Sequence, residues 1–179
     1  MDAAVSALFA QMLGPAFDTL PAPVRALHVA QGRQRYRGEV KVERGSGWLS
    51  RFFAAATHLP SAGTGPLCVE IVASPLEERW TRFIGGRAMP SRLWREDEIL
   101  CERLGLARFG FRLAMEDEAI VWRVVRVHVF GLSLPARWFT GVGARESADG
   151  ERYAFDVWAS LPLVGLLVHY TGWLDVRNE

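Results

Sequence analysis

The sequence has little of what usually assigns a protein to a class. Cysteine is scarce: Cys68 and Cys101 are the only two in 179 residues. They lie far apart and lack metal-ligand spacing, which argues against a disulfide framework and a zinc site. An excess of one charge is also missing, since 21 Lys+Arg face 20 Asp+Glu for a net charge of +1. A nucleic-acid partner would need basic residues in excess and gathered on one face. The basic residues are mostly arginine beside acids, as in Glu77-Glu78-Arg79 and Arg95-Glu96-Asp97-Glu98. The N-terminus places Asp2 where a signal peptide carries positive charge. The longest apolar run near the C-terminus, Leu161 to Val168, is interrupted by Pro162 and Gly165. It falls far short of the ~20 residues that span a bilayer. A cytoplasmic protein without a transmembrane segment is expected.

Catalytic motifs are missing as well. Gly141-Val142-Gly143 lacks the third glycine of a dinucleotide fingerprint. There is no nucleophile elbow. His28, His58, His128 and His169 are scattered, with no pair at the i, i+4 spacing of a helical metal site. No metal and no cofactor are expected.

What is present is an ordinary globular balance, with half the residues hydrophobic and 23% charged. One domain over 1–179 is expected, helical at 1–30 and 47–59 and sheet-forming at 35–44 and 67–176. Val5, Leu8, Phe9 and Met12 follow Asp2 at helical spacing until Gly14-Pro15. A second helix is predicted at 21–29. Trp48, Leu49, Phe52, Phe53, Ala56 and Leu59 form the stripe of a third. In 35–43, Tyr36, Gly38, Val40 and Val42 share one face and charged residues the other. From Leu67 onward strand patterns follow one another across short turns, with no helical crossover. The class predicted is α+β: a curled antiparallel sheet or partial barrel packed with N-terminal helices.

Charges within apolar strands mark the candidate site. The period of two sets Arg82 on one face with Trp80 and Ile84. Glu102 lies between Leu100 and Leu104, Glu70 between Cys68 and Val72, and Arg123 among Val121, Val125 and Val127. Buried charge is costly unless paired, so such positions imply inward ion pairs or a polar-lined cavity. The bland alternative is that these faces are solvated. An arginine in a cavity would hold a carboxylate or phosphate in its planar fork. Tyr170 shares a face with Val168, Gly172 and Leu174, either as a core tyrosine or as the polar tip of an apolar cup. Glu146, read as a loop residue after Gly143, is a candidate general base without an identifiable partner. The ligand-binding candidates are therefore Trp80, Arg82, Glu102, Arg123, Glu146 and Tyr170.

Several segments taken in order carry a resemblance. They are Leu20-Pro21 with Arg25 and His28, Gly38, Gly47, Leu59-Pro60, Trp80-Thr81-Arg82-Phe83, Glu102 with Gly105, Gly131 with Leu134-Pro135, Glu146, and Pro162 through Leu174. The sequence resembles a bacterial domain family of unknown function whose members occur alone or fused after a saccharopine-dehydrogenase-like NAD-binding domain. The resemblance implies a companion domain that handles a small molecule near an oxidoreductase. It does not carry NAD binding to this chain, which has no nucleotide-binding part. Three functions are weighed. The leading one is a domain that binds a hydrophobic or acidic small molecule, lipid-like in character, with an oxidoreductase as the expected partner. The second is a carboxylate-dependent isomerase or hydrolase using Glu102 or Glu146 with Arg82. The third is an interaction domain presenting Trp94, Trp138 and Trp158.

Overall fold

Alternating side chains make the wall of this protein, and its glycines let the wall close. The computed structural model describes residues 6–45, 47 and 61–177. Among these residues eleven strands follow three short helical turns: β1 Gly32–Arg44, β2 Gly63–Ala73, β3 Glu77–Ile84, β4 Arg87–Glu96, β5 Ile99–Leu104, β6 Ala107–Glu116, β7 Ala119–Val129, β8 Leu132–Leu134, β9 Gly141–Asp149, β10 Arg152–Leu161 and β11 Gly165–Asp175. The alternation predicted in β1 is present: Tyr36, Val40 and Val42 are buried, while their neighbours face outward.

Ten of the strands form a closed antiparallel barrel. The ring runs β6-β5-β4-β3-β2-β1-β11-β10-β9-β7 and returns to β6, with β8 appended to β7. The expected α+β class, with a curled sheet or partial barrel, is overturned. An open sheet of this size leaves two rows of backbone N–H and C=O groups unpaired, and closure removes both. Two joins between strands distant in sequence complete the ring. One is β1 with β11, where Gly38 opposes Leu174 and Val40 opposes Gly172. The other is β7 with β9, where Ile120 opposes Glu146. The first join needs its glycines. A Cβ on Gly38 would lie 1.8 Å from the Trp173 carbonyl oxygen, and one on Gly172 would lie 2.2 Å from that of Glu39. Glycine inside a strand marks such close backbone approach.

The helices plug one end of the barrel and do not form a layer on a sheet face. They are α1 (Leu8–Leu13), a 3-10 turn (Gly14–Thr19) and α2 (Ala22–Val29). Pro21 and Pro23 stand where α2 begins, a position that tolerates a missing N–H. Leu8, Phe9, Val24, Leu27 and His28 are almost wholly buried. The segment packs on β4, β6, β9 and β10, strands from opposite sides of the ring. It closes the end that carries the turns 97–98, 117–118 and 150–151. The helix expected at 47–59 lies outside the described residues, apart from Gly47. No described helix is long and apolar enough to cross a membrane.

Candidate functional site

Beyond the plug, inward side chains leave a cavity of about 170 Å³. Its wall is chiefly apolar, with Phe109, Phe111, Val129, Phe139, Leu161 and Leu167 prominent. An apolar cavity of roughly 150 Å³ holds a benzene ring. The enclosed space therefore takes a group of about that size, and a longer ligand extends towards the mouth. Leu106 and Phe130, from turns at the end opposite the plug, belong to the described lining at the cavity's mouth.

A few polar groups face this apolar space. In β3 the period of two points Glu78, Trp80, Arg82 and Ile84 inward. Arg82 Nη1 donates to Ser91 Oγ at 2.9 Å. Its Nη2 lies 3.5 Å from Glu102 Oε1, with the two side chains only 14% and 13% exposed. A charge-assisted bond is nearer ~2.7–2.9 Å, so this pair is loose and the guanidinium keeps donors to spare. The guanidinium also lies 5.0 Å from the Trp80 ring centroid. Burial opposes its charge, but Glu102, helped by Tyr170, Tyr153 and Glu146, outweighs that and raises its pKa. Burial pushes the Tyr170 hydroxyl up, and burial with Glu146 pushes that of Tyr153 well above the ordinary range. Both stay neutral donors near pH 7. The indole N–H of Trp122, also in the wall, has no acceptor among the described residues.

At the base of the cavity the plug meets the wall. Glu146 Oε2 lies 2.6 Å from His28 Nε2, and both side chains are buried. The His28 ring stacks on Phe9 at 3.7 Å between centroids and has Tyr153 edge-on at 6.2 Å. Beside it, Trp80 Nε1 donates to Glu78 Oε2 at 2.7 Å. Burial raises the Glu78 carboxyl above its ordinary value, against the opposing pull of His28. Among the described residues no group of three or more His, Cys, Asp or Glu could hold a metal ion.

Five of the six candidates come together here: Trp80, Arg82, Glu102, Glu146 and Tyr170 all line the cavity. Arg123 does not. It is 61% exposed on the outer face and pairs with Glu116. The cause is a bulge. Gly110 opposes Arg126 but Phe111 opposes Val124, so Val125 is an extra residue and the alternation in β7 slips by one. Arg123 therefore does not share a face with the buried Val127. Glu70 also points outward, 3.7 Å from Arg35.

Glu146 is corrected from loop to strand: it lies within β9. The two glycines that resemble breakers admit neighbours instead. A Cβ on Gly143 would lie 2.8 Å from the Trp122 carbonyl oxygen, and one on Gly141 would lie 2.2 Å from Ser160 Oγ. The partner that Glu146 lacked in the sequence is His28. Its signal was position, since His28 continues the buried stripe of Val24 and Leu27. Tyr153, Ser91 and Trp122 were also missed. Of the three surface tryptophans, Trp158 belongs to the cavity wall and Trp94 is covered by Arg92 and Arg108, while Trp138 is exposed.

Comparison with known proteins adds one match. The model of a family described as a domain of unknown function, DUF4166, matches residues 20–174. That span runs from two residues before α2 to the penultimate residue of β11, and so takes in His28 and all of the barrel except Asp175. No curated protein matches the sequence.

Proposed function

The chain belongs to this domain family of unknown function, and from that premise we propose that it binds one small hydrophobic molecule with a polar head inside the barrel. The observation that supports this most is the cavity: a largely apolar space with a loosely paired, buried arginine in its wall. Ligand pockets have this make-up, an apolar body with a few placed polar groups. Arg82 retains unused donors, and Trp122 adds an N–H without an acceptor. Buried donors call for acceptors. A medium-chain carboxylic acid fits, with its head at Arg82 and its chain along Phe109 and Phe139 towards the mouth. The resemblance extends the same reading to an oxidoreductase partner, for which the barrel would hold a substrate or product.

Calorimetric titration with octanoate and octanol tests the reading. Octanoate should bind better than octanol, and Arg82→Met should weaken octanoate at least about tenfold, the scale of one charge-assisted bond. Equal binding of both by both proteins removes Arg82 as the head site. No binding of either, together with a clean apo mass in native mass spectrometry, rejects the proposal.

A second reading has its own observation, the contact of Glu146 with His28. A carboxylate in a cavity wall, oriented by a histidine behind it, suits a general base. Such a base would exchange solvent deuterium into the α-carbon of a methyl alkyl ketone, and Glu146→Gln would abolish the exchange. Absence of exchange in the unaltered protein leaves the binding reading alone.

A further inference from the structure

We propose that the end of the barrel opposite the helical plug docks end-on onto an anionic lipid surface, with the cavity mouth against the bilayer. The inference rests on the ligand-binding reading for its purpose, but its evidence is separate. Single exposed apolar residues need no explanation, whereas a cluster does. Here they cluster. Leu106, Phe130, Leu132, Trp138, Leu163 and Leu166 are all exposed, Leu163 completely. They come from consecutive connections around half the ring, those joining β5 to β6, β7 to β8, β8 to β9 and β10 to β11, and from the opening residues of β8 and β11. Leu106 and Phe130 belong at once to this rim and to the cavity wall. Phe130 and Leu163 also hold φ of 52° and 67°. Bulky residues rarely adopt that region, and a turn serving structure alone favours glycine or asparagine there.

Charge selects the occupant. Among the fully described connections at this end, 85–86, 105–106, 130–131, 135–140 and 162–164 contain no Asp or Glu. Arg87, Arg103 and Arg137 stand exposed beside them, and none forms an ion pair among the described residues. The plugged end is the reverse, with Asp97, Glu98, Asp117, Glu118 and Glu151 in its turns. A protein charged this way is turned mouth-first by a negative membrane surface. Two mouths facing each other would oppose arginine with arginine, so a second copy is the poorer occupant. The outer wall limits the contact to docking. Arg79, Arg92, Arg103 and Arg108 lie in register across β3 to β6, where a spanning barrel carries an apolar band.

Vesicle flotation tests the proposal, comparing phosphatidylcholine alone with vesicles in which phosphatidylglycerol replaces part of it. The protein should float with the anionic vesicles only, less so as salt rises. Arg87→Gln and Arg137→Gln should each lower partitioning about fivefold. Leu163→Asp with Leu132→Asp should abolish it while leaving the circular dichroism spectrum unchanged, because both residues are exposed. Flotation that survives the paired leucine variant overturns the proposal. So does failure to float, including the case in which sedimentation shows a dimer that Leu163→Asp dissolves. Octanoate titration without vesicles separates the two ideas: octanoate binding with no flotation rejects docking alone, and flotation with no octanoate binding rejects the ligand reading alone.

Discussion

The two ends of this barrel are built from the same strands and put to different uses. At the plugged end a helical segment fills the opening with Leu8, Phe9, Val24 and Leu27, and His28 meets Glu146 at 2.6 Å, although its Nδ1 has no partner among the described residues. At the other end the inward residues leave space, and the Arg82–Glu102 pair stands at 3.5 Å. The turns differ in the same sense, acidic and polar at the plug, apolar at the mouth with arginines that form no ion pair among the described residues. Tight burial around a short buried pair supports the fold. Incomplete packing with donors left over supports a ligand and carries a cost in stability. The comparison locates the function without a catalytic motif.

Substitutions break or sharpen the contrast. The largest effect should come from His28→Ala, which removes the histidine partner of the buried Glu146 and opens space against Phe9. Removing one partner of a buried pair costs about 3–5 kcal/mol, measurable by urea denaturation. A loss below about 1 kcal/mol would mean that the plug is dispensable. Arg82→Ala should cost less, about 1–3 kcal/mol, because Glu102 can be hydrated through the cavity. If the two losses were equal, the pair at Arg82 would be structural rather than available to a ligand.

Glu78→Gln should act in the opposite direction. Burial raises the folded-state pKa above the ordinary 4.5, so the fold favours the protonated acid. That contribution is complete below the ordinary value and is lost as pH rises through the raised one. The variant should therefore be more stable than the parent at neutral pH, with a flatter pH dependence above 4.5. Thermal melts across that range that superimpose for the two proteins would show His28 compensating the charge fully. The smallest effect belongs to the mouth: Leu163→Ser should change stability by no more than about 0.5 kcal/mol. A larger loss would show that the rim packs against something and is not a free surface.

The sequence by itself determined most of the strands and, in β1 and β3, which residues face inward, because alternation is a local property that any two-sided sheet must respect. Tyr36, Val40, Trp80 and Arg82 are where period two puts them. It also brought Glu102 and Tyr170 to notice, since a polar side chain on an otherwise apolar face stands out without a structure. Arg123 shows the limit of that logic, because one bulged residue at Val125 reverses the face. Glu146 shows another: Gly141 and Gly143 look like loop formers until Trp122 and Ser160 are seen pressed against them. Only the tertiary structure decided that the sheet closes, that the helices plug it and that His28 reaches Glu146 from 118 residues away. Each of these is a pairing between distant segments, chosen because closure satisfies edge groups and because the plug buries apolar surface. Neither gain belongs to any one stretch of sequence.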